Sequence, residues 1–134
     1  MSKSALVLTL FIAWALLLLV VMEILRCHLV VTGRAQSNEF KPDNSNVSPF
    51  MQRLARAHAN CLENLPLFGG LLLVALVTGR TGVTDPLAPW LLGARIMQSC
   101  IHLASTSVVA VNARFTAFVV QIAIALYWVC ALLI

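Results

Sequence analysis

The sequence predicts an all-α membrane protein, an up-down-up-down bundle of four transmembrane helices. The chain has 134 residues, of which 60% are hydrophobic and only 10% are charged. A soluble domain of this length could not bury so much apolar surface, so lipid must cover part of it. The apolar residues also fall into four long segments, and the links after the second and third are short enough to make neighbouring helices antiparallel.

Each of the four segments is long enough to cross the hydrocarbon core, which requires about 20 apolar residues per helix. Their predicted bounds are about 4–31, 50–78, 86–111 and 113–134. The connection over 32–49 is the longest polar stretch, and its Gly, Pro, Asn and Ser content predicts an exposed loop. A tight turn near Asn112 is expected to join the last two helices, with Asn112 as the N-cap of the final helix.

The basic residues are distributed unevenly between the two ends of the predicted bundle. Two lie toward the chain termini (Lys3 and Arg80), and five lie toward the long loop: Arg34, Lys41, Arg53, Arg56 and Arg114. This excess predicts a cytoplasmic loop, in either a bacterial inner membrane or an endoplasmic reticulum membrane. The net charge of +4 is too scattered for nucleic-acid binding, so no nucleic-acid partner is expected.

The second segment opens with a polar stripe, RLARAHANCLEN, in which Arg53, Arg56, Asn60, Glu63 and Asn64 recur at spacings of three and four. This spacing predicts one shared helix face. Glu63 lies about 15 Å along the axis from Arg53, too deep to reach the interface. An ionised carboxylate there costs about 2.5–3.5 kcal/mol unless it is paired or faces a wet cavity. A hydrogen-bond network that fixes helix packing is one explanation, but the number of polar groups favours a binding site.

The third and fourth segments carry further candidates for the same site. Arg95, Gln98 and His102 recur at spacings of three and four and are expected to share a face. Arg114 follows Asn112 in the run VNARF, and an arginine at a helix N-terminus favours an anion such as a carboxylate or thiolate. An interfacial anchor explains the position of Arg114 almost as well. The cysteines show no metal-ligand spacing, so no metal is expected.

The run RAHANCLENLPLFG resembles the signature of the MAPEG family, the membrane-associated proteins in eicosanoid and glutathione metabolism. The shared residues are Arg56, Asn60, Glu63 and Pro66, and the motif is most similar to the leukotriene C4 synthase and microsomal glutathione transferase branches of that family. The resemblance implies one four-helix domain over 1–134, assembled as a homotrimer in membrane lipid. It also implies a glutathione S-transferase or peroxidase, with glutathione as co-substrate and a small lipophilic electrophile as substrate.

The same resemblance assigns roles to individual residues. Arg56, Asn60 and Glu63 are expected to bind a carboxylate, the peptide backbone and the ammonium group of glutathione. The other expected glutathione-binding residues are Arg34, His58, Asn64, Arg95, Gln98 and His102. Arg114 is the expected catalytic residue, because a guanidinium beside the glutathione sulfur would stabilise the thiolate, the reactive form of a thiol whose free pKa is about 8.5.

Two other functions stay open. One is a non-catalytic adaptor of the same family that binds lipid or glutathione without turnover. The other is a small four-helix drug/proton antiporter, in which Glu23 would be the proton-coupled carboxylate. Arg26 lies one turn from Glu23 and is expected to pair with it, which argues against an antiporter.

Overall fold

The computed structural model describes residues 1–134 and consists of helices joined by turns and loops. The helices are α1 (Lys3–Val31), α2 (Pro49–Val77), α3 (Thr81–Thr84), α4 (Ala88–Ala104) and α5 (Val108–Leu133). Three of them, α1, α2 and α5, are long and apolar enough to cross a membrane. With 17 residues, α4 reaches only the lower limit for a span. The prediction of an all-α membrane protein is confirmed, with three candidate spans.

The break between the last two helices lies earlier in the chain than the sequence predicts. The end of α4 is Ala104 rather than residue 111, and α5 begins at Val108 rather than at 113. The N-cap of α5 is Ser107, whose hydroxyl accepts from the Ala110 backbone N at 3.2 Å, so the prediction of Asn112 as the cap is wrong. Residues 108–111 are all apolar, so hydropathy does not mark the break, and three successive hydroxyl residues, 105–107, form the turn.

Two apolar clusters hold the helices together. The larger joins α1, α2, α4 and α5 around the fully buried side chains of Trp128, Phe11, Leu72 and Leu91. The second packs the middle of α1 against the first half of α2. The most extensive contacts are those of α1 with α2 and of α4 with α5, and α2 joins the two pairs by packing on α4. The polar stripe of α2 therefore lies next to α4.

Arginine side chains satisfy backbone carbonyls at two helix C-termini. Arg53 Nε donates to the Leu103 carbonyl at 2.8 Å, at the end of α4. Arg80 donates to the carbonyls of Leu132 at 2.6 Å and Ala131 at 2.9 Å, at the end of α5. The last carbonyls of a helix have no partner within it, so these contacts fix the ends of α4 and α5 against α2 and the turn that follows it.

The long polar loop is tied to α1 through Asn44, which is fully buried and adopts a positive φ of 54°. Asparagine is one of the few residues that adopt this conformation readily. Its Oδ1 accepts from Arg26 Nη2 at 2.6 Å, and its Nδ2 donates to the Met51 carbonyl at 2.8 Å. Arg26 also pairs with Glu23 at 3.3 Å. The predicted Glu23–Arg26 pair is confirmed, so this carboxylate is already neutralised.

Asp85 satisfies the first turn of α1 from the turn before α4. Its Oδ1 accepts from the Ser4 backbone N at 2.8 Å and from the Ser4 hydroxyl at 2.6 Å. We expect Asp85→Ala to lower the free energy of unfolding by about 1–3 kcal/mol, because buried Ser4 loses these contacts. Thermal unfolding in detergent, followed by tryptophan fluorescence, measures the effect. Asp85→Asn keeps one oxygen acceptor and serves as the control; an unchanged melting temperature for Asp85→Ala would contradict the interpretation.

Candidate functional site

The polar stripe of α2 lies across the boundary between the helix interface and the outer surface of the subunit. At 3.6 residues per turn, Arg56 and Glu63 lie along one edge of the stripe, Asn64 lies along the other, and Asn60 lies between them. Arg56 and Glu63 are exposed, Asn60 is half-buried and Asn64 is buried. The packing of α4 on α2 therefore divides the predicted single face into an inner and an outer part.

The inner part belongs to a side-chain hydrogen-bond network that joins α2, α4 and α5. Arg95 Nη1 donates to Asn60 Oδ1, and Gln98 Nε2 donates to the same oxygen at 3.4 Å. Gln121 Nε2 donates to Gln98 Oε1 at 2.8 Å and to the Ala117 carbonyl at 3.1 Å. Polar side chains commonly link helices in this way inside membranes. The packing explanation of the stripe therefore applies to this inner part.

Arg95 is fully buried. Its guanidinium carbon lies 5.6 Å from the ring centroid of Phe11 and 5.8 Å from that of Phe68, within the range of cation–π attraction. The sulfur of Cys61 lies beside it. Arg95 Nε and Nη2 have no hydrogen-bond partner, so Asn60 is the acceptor on which this buried charge depends. Arg95 therefore supports Asn60 and does not reach the surface of the chain.

The outer part of the stripe consists of two exposed charges without partners. Neither Arg56 nor Glu63 forms an ion pair, since the single ion pair in the chain is that of Glu23 with Arg26. Glu63 lies at the midpoint of α2 (Pro49–Val77), about 20 Å from either end. An unpaired carboxylate at this depth in a membrane is unfavourable. The charge of Glu63 therefore has no counterpart within the chain.

His102 and Arg114 lie at the loop end of the bundle. His102 is half-buried and lies within electrostatic range of both Arg56 and Arg114. Arg114 is also half-buried, and its Nε has no hydrogen-bond partner. Because α5 begins at Val108, Arg114 lies in the second turn of the helix. The predicted contribution of the helix N-terminus to anion binding at Arg114 is therefore wrong, and the charge available there is that of the guanidinium itself.

The chain matches the model of the MAPEG family over residues 4–134. The chain belongs to the MAPEG family. The match covers nearly all of the chain and confirms the resemblance based on RAHANCLENLPLFG. No individual curated protein matches the sequence. Family membership supports a membrane function connected with glutathione or eicosanoid metabolism.

The remaining predicted site residues of this MAPEG protein are more dispersed. Arg34 is exposed in the loop after α1, where it lines a small groove of about 220 Å³. His58 is half-buried and lies within electrostatic range of Glu23 of α1. Asn64 is buried and its Nδ2 donates to the Asn60 backbone carbonyl at 2.8 Å. Arg34 and His58 form no hydrogen bond with another predicted site residue.

The sequence pattern did not identify Gln121, which lies at the α5 end of the inner network. It is the one amide in the apolar run FVVQIAIAL of α5. A glutamine in a membrane-crossing helix is costly unless its amide finds a partner on another helix. That isolated polar residue is the signal from which an interhelical contact could have been predicted.

Substitutions in the inner and the outer part of the stripe are expected to differ in their effect on thermal stability. Asn60→Leu removes the acceptor for Arg95 and leaves a buried guanidinium without a partner, a defect that costs about 3–5 kcal/mol. Glu63→Gln removes a charge that has no partner in the chain, so it should leave the melting temperature of the ligand-free protein unchanged or raise it. Thermal unfolding of both variants in the same detergent tests this contrast, and equal destabilisation would contradict it.

Proposed function

We propose that this protein is a membrane-embedded, glutathione-dependent transferase or peroxidase. It activates the glutathione thiol for attack on a lipophilic electrophile or hydroperoxide. The observation that supports this function best is the outer pair of unpartnered charges, Arg56 and Glu63, on a helix of membrane-crossing length. In a family connected with glutathione, a hydrophilic peptide bearing both signs of charge is the natural counterpart of that pair.

The spacing of the outer pair suits a tripeptide. Arg56 and Glu63 are seven residues apart, about 10 Å along the helix axis, and three extended residues span about 10–11 Å. Arg56 would bind a glutathione carboxylate, Glu63 would bind the ammonium group, and the Asn60 amide between them would donate to the peptide backbone. Charge-assisted hydrogen bonds of this kind are the stronger ones, which suits a ligand that leaves water to bind.

A homotrimer would complete the site. The outer edge of α2 is exposed along its length, so a neighbouring copy packed there would enclose a ligand between two subunits and remove Arg56 and Glu63 from lipid. In this proposal the long loop lies on the cytoplasmic side, as the excess of basic residues there predicts. Glutathione enters from the same end of the bundle, where Arg56, His102 and Arg114 lie. Membrane lipids surround the remaining apolar surface.

The chemical step needs a thiolate. Arg114 is the proposed catalytic residue: its guanidinium lowers the pKa of the glutathione thiol, and each unit is worth about 1.4 kcal/mol. The thiol proton leaves to water, and the sulfur attacks an electrophilic carbon. A carbon–sulfur bond forms while the leaving group departs with its electron pair. With a hydroperoxide, the thiolate attacks the terminal oxygen, the O–O bond breaks, and the departing alkoxide takes a proton from water to become the alcohol. A second glutathione thiol then reacts with the sulfenic acid to give the disulfide and water.

An apolar groove provides a place for the lipophilic substrate. It has a volume of about 820 Å³ and lies between α4 and α5. Ala113 and Ile101, which precede Arg114 and His102 in the chain, line it together with Trp90, Met97 and Val120. A lipophile that enters from the bilayer would therefore have its reactive end near the proposed thiolate site.

Calorimetry of the detergent-purified protein with glutathione tests the binding step. We expect saturable binding by the wild type. Arg56→Ala and Glu63→Gln should each weaken affinity by about 10-fold or more, because each removes a charge-assisted contact. Lys3→Ala, an exposed cation at the other end of α1, is the matched control and should bind like the wild type. No binding by the wild type, or wild-type affinity in both variants, would refute the proposed site.

Turnover of chlorodinitrobenzene and glutathione tests the catalytic step. We expect Arg114→Ala to lower kcat at pH 7 by about 10-fold or more and to move the rise of the pH–rate profile to higher pH, because the thiol pKa is no longer lowered. Arg114→Lys keeps a positive charge and should retain part of the activity. Wild-type turnover in Arg114→Ala would remove its catalytic role, whereas glutathione binding without turnover of any electrophile in the wild type would indicate an adaptor.

A further inference from the structure

We propose that Gln121 is a positioning residue that orients the side-chain amide of Asn60, so that both N–H groups of Asn60 face the ligand. The inference rests on the glutathione-binding role proposed for Asn60. Gln121 is itself fully buried on α5 and acts through Gln98 on α4. It would set the hydrogen-bonding character of the site without touching glutathione.

The orientation of the Gln121 amide is fixed by the backbone carbonyl of Ala117, which can only accept a hydrogen bond. Gln121 Nε2 donates to the Ala117 carbonyl at 3.1 Å and to Gln98 Oε1 at 2.8 Å. The Gln121 Oε1 atom is buried and has no partner. Reversing this amide would place that oxygen against two other oxygens, so the nitrogen is held toward Ala117 and Gln98.

The orientation of the Gln98 amide in turn determines that of the Asn60 amide. Because Gln98 Oε1 is turned toward Gln121, its Nε2 is directed at Asn60 Oδ1, at a distance of 3.4 Å. Arg95 Nη1 donates to the same oxygen. A carbonyl oxygen has two lone pairs, so these two donors use its capacity. Asn60 is therefore held with its oxygen toward the interior.

The nitrogen of Asn60 is left for a ligand. Its Nδ2 donates to no group in the chain and is not among the buried unpaired atoms, so it is accessible at the surface between Arg56 and Glu63. In this orientation Asn60 offers two donors, which suit a peptide carbonyl or a carboxylate. A reversed amide would offer an acceptor to the ligand and turn its N–H groups toward the N–H groups of Arg95.

The variant Gln121→Leu removes the hydrogen-bond donor and replaces it with an apolar side chain of similar size. Gln98 can then turn its amide and place an oxygen beside Asn60 Oδ1. We expect the glutathione Kd and KM to rise by about 3- to 10-fold, the value of one hydrogen bond. We expect kcat with chlorodinitrobenzene to stay unchanged, because Gln121 does not reach the thiol.

Ile124→Ala is the matched control, since Ile124 is buried one turn further along α5 and belongs to the apolar cluster. It should lower the melting temperature without changing the glutathione Kd. Gln98→Met, which breaks the same chain of hydrogen bonds one step nearer the ligand, should reproduce the rise in Kd. If Ile124→Ala and Gln121→Leu raise the Kd equally, the role of Gln121 is structural and the proposal is overturned.

A double-mutant cycle with Asn60→Asp identifies the route of the effect. Aspartate keeps an acceptor for Arg95 but has no amide to orient, so Gln121→Leu should add no further loss of affinity in that background. An equal loss in both backgrounds would overturn the proposal. Wild-type binding that is weakened by Arg56→Ala but not by Gln121→Leu would refute the positioning role alone, whereas no binding by the wild type would refute the glutathione site as well.

Discussion

The fully buried guanidinium of Arg95 has one hydrogen-bond acceptor in the protein, the side-chain oxygen of Asn60. A buried charge is unfavourable unless such an acceptor meets it, so α2 and α4 are constrained to the register in which the two side chains touch. Gln98 and Gln121 extend the constraint to α5. The relative rotation of the three helices thus depends on the contact that Asn60 makes from the middle of the polar stripe.

The rotation of α2 determines which residues of the stripe face outward. With Asn60 turned toward α4, the residues on the far edge of the stripe, Arg56 and Glu63, must face outward at membrane depth. The inner part of the stripe therefore has hydrogen-bond partners on α4, whereas the outer charges have no partner in the chain. Asn60 belongs to both parts of the stripe, because its oxygen accepts hydrogen bonds in the interior while its nitrogen remains accessible between the two outer charges.

The sequence predicts those features that depend on local pattern. Long apolar runs located α1 and α2 to within a residue or two, and the motif on α2 predicted the family, which the match over residues 4–134 confirms. Spacing cannot tell which part of the stripe meets another helix, because tertiary packing decides that. The break consists of the hydroxyl residues 105–107, but the apolar residues that follow it, 108–111, were assigned to the third segment instead of the fourth. The importance of Gln121 depends on neighbours that are distant in sequence.

Electron cryo-microscopy of the purified protein with glutathione would test most directly whether the outer charges, Arg56 and Glu63, bind a ligand. We predict a trimeric particle with tripeptide density along the row from Arg56 to Glu63 of each subunit, and with the Asn60 nitrogen turned toward it. A particle in which this row faces lipid, while glutathione lies elsewhere or is absent at saturating concentration, would contradict the proposed division of the stripe into a structural and a ligand-binding part.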